Sequence, residues 1–245
     1  GRDAARADPS GLGKKCRVFA RKWVDSQRAE FERLGGFGTW DDPYLTMTHD
    51  YEALTLREFG RFVGRGAVYQ GRKPVLWCHV CETALADAEV EYKDAASPSI
   101  YVKFPFTDSV GERVPELAGR NGAVVIWTTT PWTLPSNLAI SFDPDAIYVA
   151  VEMDGEALVV AAALQEAFFA AIGRPELGDA PAIASFPGRA LDRAACRLPF
   201  IDRESLLIVG EHVTMDTGTG CVHTAPGFGE DDFVVGARYG LEAYA

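Results

Sequence analysis

Ala123-Val124-Val125-Ile126-Trp127-Thr128-Thr129-Thr130-Pro131-Trp132-Thr133-Leu134-Pro135-Ser136-Asn137 is the stretch that decides how this chain folds. Its opening residues are mostly β-branched or aromatic and read as a buried strand. Strand character stops there, because Pro131 and Pro135 have no N–H to give to a ladder. The strand therefore delivers Thr128, Thr129 and Thr130, and then Thr133, onto a stiffened turn. A buried hydroxyl without a partner is costly. Four hydroxyls at one strand end point to a pocket that grips a polar ligand.

Around that stretch, the 245-residue chain is 47% hydrophobic and 24% charged, the balance of a folded protein with one large domain or two ordinary ones. A formal net charge of -11 argues against broad, non-specific nucleic-acid binding. Residues 1–80 carry 14 basic and 10 acidic side chains, whereas the other 165 carry 10 basic and 25 acidic, so two regions with different electrostatic tasks are expected. No run of 18 apolar residues occurs, and no membrane span is expected. Five sparse cysteines and the lack of a signal-peptide pattern favour a reducing, cytoplasmic setting. Both ends read as cuts from a longer chain, so a fragment is expected.

Residues 1–13 read as a loose arm. Apolar residues at Cys16, Phe19, Ala20, Trp23, Phe31 and Leu34 predict a helix closed by Gly35-Gly36. A second helix is expected over about residues 50–65, with Asp50 as its N-cap. Beyond residue 67 the pattern shifts to short strands at Val68–Tyr69, Val75–Trp77, Glu89–Tyr92, Ile100–Phe106, Ala123–Trp127, Ala146–Val151, Ala157–Val160, Leu206–Val209 and Gly220–His223. Helices over Leu164–Ile172 and from about Asp231 interrupt them. The chain divides on this reading into residues 1–94 and a β-rich part over 95–245.

Two further motifs carry chemistry. Cys78-His79-Val80-Cys81 supplies two ligands of a four-ligand zinc site, a redox pair, or two incidental cysteines, and no second pair accompanies it. Gly218-Thr219-Gly220-Cys221-Val222-His223-Thr224-Ala225-Pro226-Gly227 allows close backbone approach, and Glu230, Asp231 and Asp232 follow where a helix would start. Taken alone, helix capping accounts for such acids more readily than function does, and a satisfied core histidine accounts for His223 in the same way.

Together these motifs resemble the isoleucyl branch of the class I aminoacyl-tRNA synthetases. Residues 127–137 look like the threonine-rich peptide of the family's editing domain, the connective peptide 1 insertion. Residues 218–227 with Glu230-Asp231-Asp232-Phe233 look like its second editing motif. Trp40-Asp41-Asp42-Pro43-Tyr44-Leu45-Thr46-Met47 and Lys73-Pro74-Val75-Leu76-Trp77-Cys78 resemble the catalytic core that leads into it. Valyl and leucyl relatives typically carry Arg where Thr130 stands. Phe228 replaces a His that many relatives carry.

The resemblance implies an α/β chain: a β-rich, barrel-like editing domain with peripheral helices, inserted in and preceded by part of a Rossmann-type core. It implies hydrolysis of valyl-tRNA(Ile) formed in error, with tRNA(Ile), isoleucine, valine and the remainder of the synthetase chain as partners. Asp232 would hold the substrate ammonium; Thr128, Thr129 and Thr130 would bind the terminal nucleotide and a water; His223 would form the wall that excludes isoleucine. Trp127, Thr133, Asn137 and Asp231 would complete the substrate contacts. Either a positioned water or a threonine nucleophile with His223 as base would suffice for the chemistry. Cys78 and Cys81 would bind zinc with a later cysteine pair. ATP and Mg belong to the parent enzyme only, since neither His-x-Gly-His nor Lys-Met-Ser-Lys-Ser occurs here, and no aminoacylation by these residues alone is expected.

Overall fold

The computed structural model describes residues 7–244, and these fall into two units that divide between Gly71 and Arg72. The first unit is helical. Helix α1 spans Pro9–Arg33 and is capped by Asp8, whose side chain accepts the Gly11 N–H. Residues 9–13, expected in a loose arm, are thus its first turns; residues 1–6 of that arm lie outside the described residues. Gly35, at φ +81, ends the helix as its sequence suggests. Helix α2 spans His49–Gly64 with Thr48, not Asp50, at the N-cap, and Asp50 lies in the acidic first turn.

In the second unit a two-stranded hairpin, β1 (Trp77–Cys78) and β2 (Thr83–Ala84), carries the cysteine motif at its turn. The strands expected at Val68–Tyr69 and Glu89–Tyr92 do not form. Such short runs need a neighbouring strand to hold them.

The remainder is two sheets with a shared core. The five-stranded sheet has the order β3 (Ile100–Pro105), β4 (Gly122–Thr128), β7 (Glu156–Ala161), β6 (Ile147–Met153), β8 (Ala184–Pro187). The four-stranded sheet has the order β11 (Cys221–Thr224), β5 (Ala139–Phe142), β10 (Glu204–Val209), β9 (Ala195–Arg197). Period-two alternation sets the layers. Val124 and Ile126 of β4 join Ile140, Phe142 and Leu207 of the other sheet in the central core. Val125, Leu158 and Val160 face the opposite side, under Phe168 and Phe169 of α4 (Gln165–Ala171), which follows the short α3 (Asp108–Arg113) in chain order. Ala139 and Ile208 pack outward against Val235 of α5 (Glu230–Arg238).

The sheets meet at one edge through an antiparallel bridge between Phe106 and Cys196, but no closed barrel forms. The expected barrel-like domain is therefore a pair of sheets packed face to face, with α4 and α5 outside. Among the described residues no helix is long and apolar enough to cross a membrane.

Candidate functional site

Strand β4 ends at Thr128 and leads into a 3-10 turn over Pro131–Ser136, where both prolines fit because neither position supplies a ladder N–H. The chain then returns as β5, which pairs antiparallel with β11 so that His223 faces Ile140 and Thr224 faces Ala139. This pairing brings the second motif to the first. Thr128–Thr130, Thr133, Gly218–His223 and Asp232 line one cavity of about 580 Å³, with Trp127 at its side. That volume is ordinary for a small-molecule pocket. Thr128 Oγ1 accepts the Thr130 N–H at 3.1 Å, which leaves Thr129 and Thr130 exposed at the mouth.

The glycine turn is held from behind. Tyr148, fully buried, donates to the Gly220 carbonyl at 2.6 Å, and the Ala161 N–H donates to the Thr219 carbonyl at 2.8 Å. Gly218 and Gly220 sit at φ +80 and +71, the left-handed region. A Cβ on Gly220 would stand 2.5 Å from the Ala161 Cβ. Gly220→Ala is expected to cost about 2–4 kcal/mol from strained backbone plus overpacking, read as a lower urea midpoint at unchanged slope.

Asp232 is half-buried and accepts the Ala225 N–H on Oδ2 at 2.9 Å. The N-cap of its helix is Gly229, with no side-chain cap bond. Burial raises its pKa, against the opposing pull of the Ala225 N–H and of His212. Cys221 also lines the cavity, but burial pushes its thiol up, so it presents no thiolate at neutral pH.

His223 is 8% exposed, with Thr133 Oγ1 2.9 Å from Nε2 and Asn137 Nδ2 2.8 Å from Nδ1. Burial pushes its pKa down to about 4. The unfolded chain takes up this proton near 6.5 and the folded chain only near 4, so stability is lost as pH falls through that window. The loss reaches about 3 kcal/mol at the low end. Urea midpoints are expected to fall between about pH 7 and about pH 5, and to fall less in His223→Gln.

The structure does not gather every residue that the sequence singles out. Asn137 is fully buried behind His223, outside the cavity lining. Asp231 faces a separate cleft with Glu211, Val234 and Arg238. His212, Trp132, Thr217 and Phe228 also line the cavity, beyond the site residues that the sequence points to. His212 stands in a run, Gly210-Glu211-His212, that carries no motif; its place in the cavity lining and its pull on Asp232 identify it. In the hairpin, the Cys81 N–H donates to Cys78 Sγ at 3.3 Å, a bond that suits a metal-bound thiolate. Among the described residues no group of three or more His, Cys, Asp or Glu is placed to hold a metal ion.

Residues 9–205 match the family model of the tRNA synthetases class I (I, L, M and V). The chain is 56% identical over 233 residues to the isoleucine–tRNA ligase of Geobacter sulfurreducens, which is 95% of this chain and 25% of that protein. It is 51% identical over 241 residues to that of Desulforamulus reducens, 98% of this chain and 25% of that protein. The chain thus spans about a quarter of the length of the curated relatives it matches. The editing domain of the P. knowlesi cytosolic leucyl-tRNA synthetase superposes with a TM-score of 0.46 at 11% identity, over 55% of this chain and 59% of that one.

Proposed function

Because this chain belongs to the class I tRNA synthetases, we propose that its cavity is the editing site of an isoleucine–tRNA ligase, where valine wrongly joined to tRNA(Ile) is hydrolysed from its ester. The observation that carries this reading is the convergence of the threonine-rich turn and Asp232 on one cavity of about 580 Å³.

The chemistry follows from the substrate. Valine lacks one methylene of isoleucine, and a methylene in an apolar pocket is worth only about 1–3 kcal/mol, the isoleucyl enzymes being the standard illustration. A synthetic pocket cannot exclude the smaller molecule by size, whereas a second pocket can admit it and reject the larger one. In that second pocket Asp232 receives the cationic amino group by a charge-assisted hydrogen bond. Thr128, Thr129 and Thr130 hold the terminal nucleotide and a water near the ester carbon, and His223 forms the wall against the extra methylene. An ester is reactive enough that holding water in line supplies much of the acceleration.

The acidic balance of the chain is compatible with this role, since only the 3′ end of tRNA(Ile) enters the cavity. The remainder of the synthetase chain would bear the body of the tRNA and use ATP and Mg with isoleucine, in the cytoplasm. Cys78 and Cys81 fit half of a tetrahedral zinc site, with two ligands to come from elsewhere. The test is deacylation of valyl-tRNA(Ile) by the chain. Hydrolysis of the valyl ester with isoleucyl-tRNA(Ile) spared supports the reading. Binding of the tRNA without hydrolysis would make the chain a tRNA-holding part of the synthetase.

A further inference from the structure

We infer that His223 is locked as the neutral imidazole with its proton on Nε2, and that Asn137 and Thr133 are the positioning residues that lock it. The lock is read from a directed chain of hydrogen bonds in the buried wall of the cavity. Asn137 Nδ2 lies 2.8 Å from the Ala139 carbonyl and 2.8 Å from His223 Nδ1. An amide NH₂ has two hydrogens to donate and accepts nothing, so Nδ1 must be the acceptor. Turning the amide over would place Oδ1 against the Ala139 carbonyl, acceptor on acceptor, so the Ala139 carbonyl decides the orientation.

The proton of a neutral ring is then on Nε2, where it meets Thr133 Oγ1 at 2.9 Å. That hydroxyl spends its own hydrogen on the Thr130 carbonyl, also at 2.9 Å. Every donor in the series Asn137, His223, Thr133, Thr130 has an acceptor, and the series runs in one direction only. An imidazolium would set Nδ1–H against the amide hydrogens, so the geometry excludes it too. Asn137 is fully buried and Thr133 is 7% exposed, so water does not substitute readily for either partner.

The consequence for hydrolysis rests on the editing reading above; the tautomer does not. Neither ring nitrogen keeps a lone pair for the cavity, because Nδ1 is occupied by Asn137 and Nε2 bears the proton. His223 therefore takes no proton from a threonine or a water. Of the two mechanisms open to the sequence, a nucleophilic threonine with His223 as base is removed, and the ring serves as a fixed wall. Its rigidity comes from Thr133, which also ties it to the turn that carries Thr130.

The test is nitrogen-15 NMR of the histidine rings in the whole chain, with the His223 signals assigned by His223→Gln. The expected spectrum has a pyridine-type Nδ1 and a pyrrole-type Nε2 at His223. A protonated Nδ1, an imidazolium, or two tautomers in exchange at neutral pH would overturn the proposal. Thr133→Val, which keeps the shape and loses the acceptor, is expected to disturb these signals and to lower valyl-over-isoleucyl discrimination about tenfold. Thr133→Ser is expected to restore both. Unchanged ring signals and discrimination in Thr133→Val would remove Thr133 from the lock. Should that variant fail to fold, the parent spectrum still decides the tautomer. A locked tautomer in a chain that hydrolyses no valyl-tRNA would sink the editing reading and leave the lock standing.

Discussion

Asp232→Asn is expected to slow valyl-tRNA(Ile) deacylation by about 100-fold or more while leaving the melting temperature at neutral pH equal to or above that of the parent, because truncating one side of a buried charge pair costs about 2–5 kcal/mol. The residue sits at the third position of α5, where the aligned peptide dipoles favour a carboxylate. Burial outweighs that support and raises the pKa. The side chain spends one oxygen on the Ala225 N–H. Asparagine can keep that bond through its carbonyl oxygen and lose only the charge. The folded chain holds the Asp232 proton more tightly than the unfolded chain does. Stability therefore falls as pH rises from the ordinary value of 3.8 through the raised one. Removing the charge removes that penalty. A residue kept for helix capping behaves in the opposite way: its loss lowers stability and spares activity. Paired measurements of Tm and single-turnover deacylation separate the two, and full activity in Asp232→Asn would end the assignment of Asp232 to the ammonium group.

How much of this site is legible in the sequence depends on which physical scale is asked. The strand leading to Thr128 and the stop imposed by Pro131 and Pro135 are local matters, and the structure has them where periodicity and missing N–H groups put them. The strands that the sequence pattern leaves unmarked, β2, β5, β8 and β9, are two to four residues long. So short a run has too few alternations to declare a period, and it forms because neighbours pair with it. Yet β5 is what carries the turn to His223, through a register with β11 that no spacing reveals.

Side-chain direction is equally hidden. Asp231 and Asp232 are adjacent, but one helical step turns them into different clefts. Asn137 follows the threonines closely in sequence, yet the end of the 3-10 turn points it behind the wall, where it holds His223. The family resemblance identified the residues, and only tertiary pairing says which of them touch the cavity.

His223→Ala should expose the other half of the site, with isoleucyl-tRNA(Ile) becoming a substrate. The wall rejects one methylene, and that difference is worth about 1–3 kcal/mol, so hydrolysis of the isoleucyl ester is expected to rise about 10- to 100-fold. Hydrolysis of the valyl ester is expected to stay within about tenfold of the parent, because a ring whose nitrogens are both engaged supplies no proton transfer that alanine would abolish. A general base at this position predicts the reverse, a loss of about 100-fold or more on both esters. The variant leaves the Asn137 amide and the Thr133 hydroxyl with one partner fewer in a buried place, at a cost of about 1–3 kcal/mol. It should therefore be assayed well below its melting temperature. His223→Gln offers an amide in place of the ring and tests volume with less loss of hydrogen bonding. Equal discrimination in all three proteins would place the size filter elsewhere in the cavity. Relaxed discrimination with retained valyl hydrolysis would identify His223 as a barrier whose fixed position, rather than its basicity, is what the reaction uses.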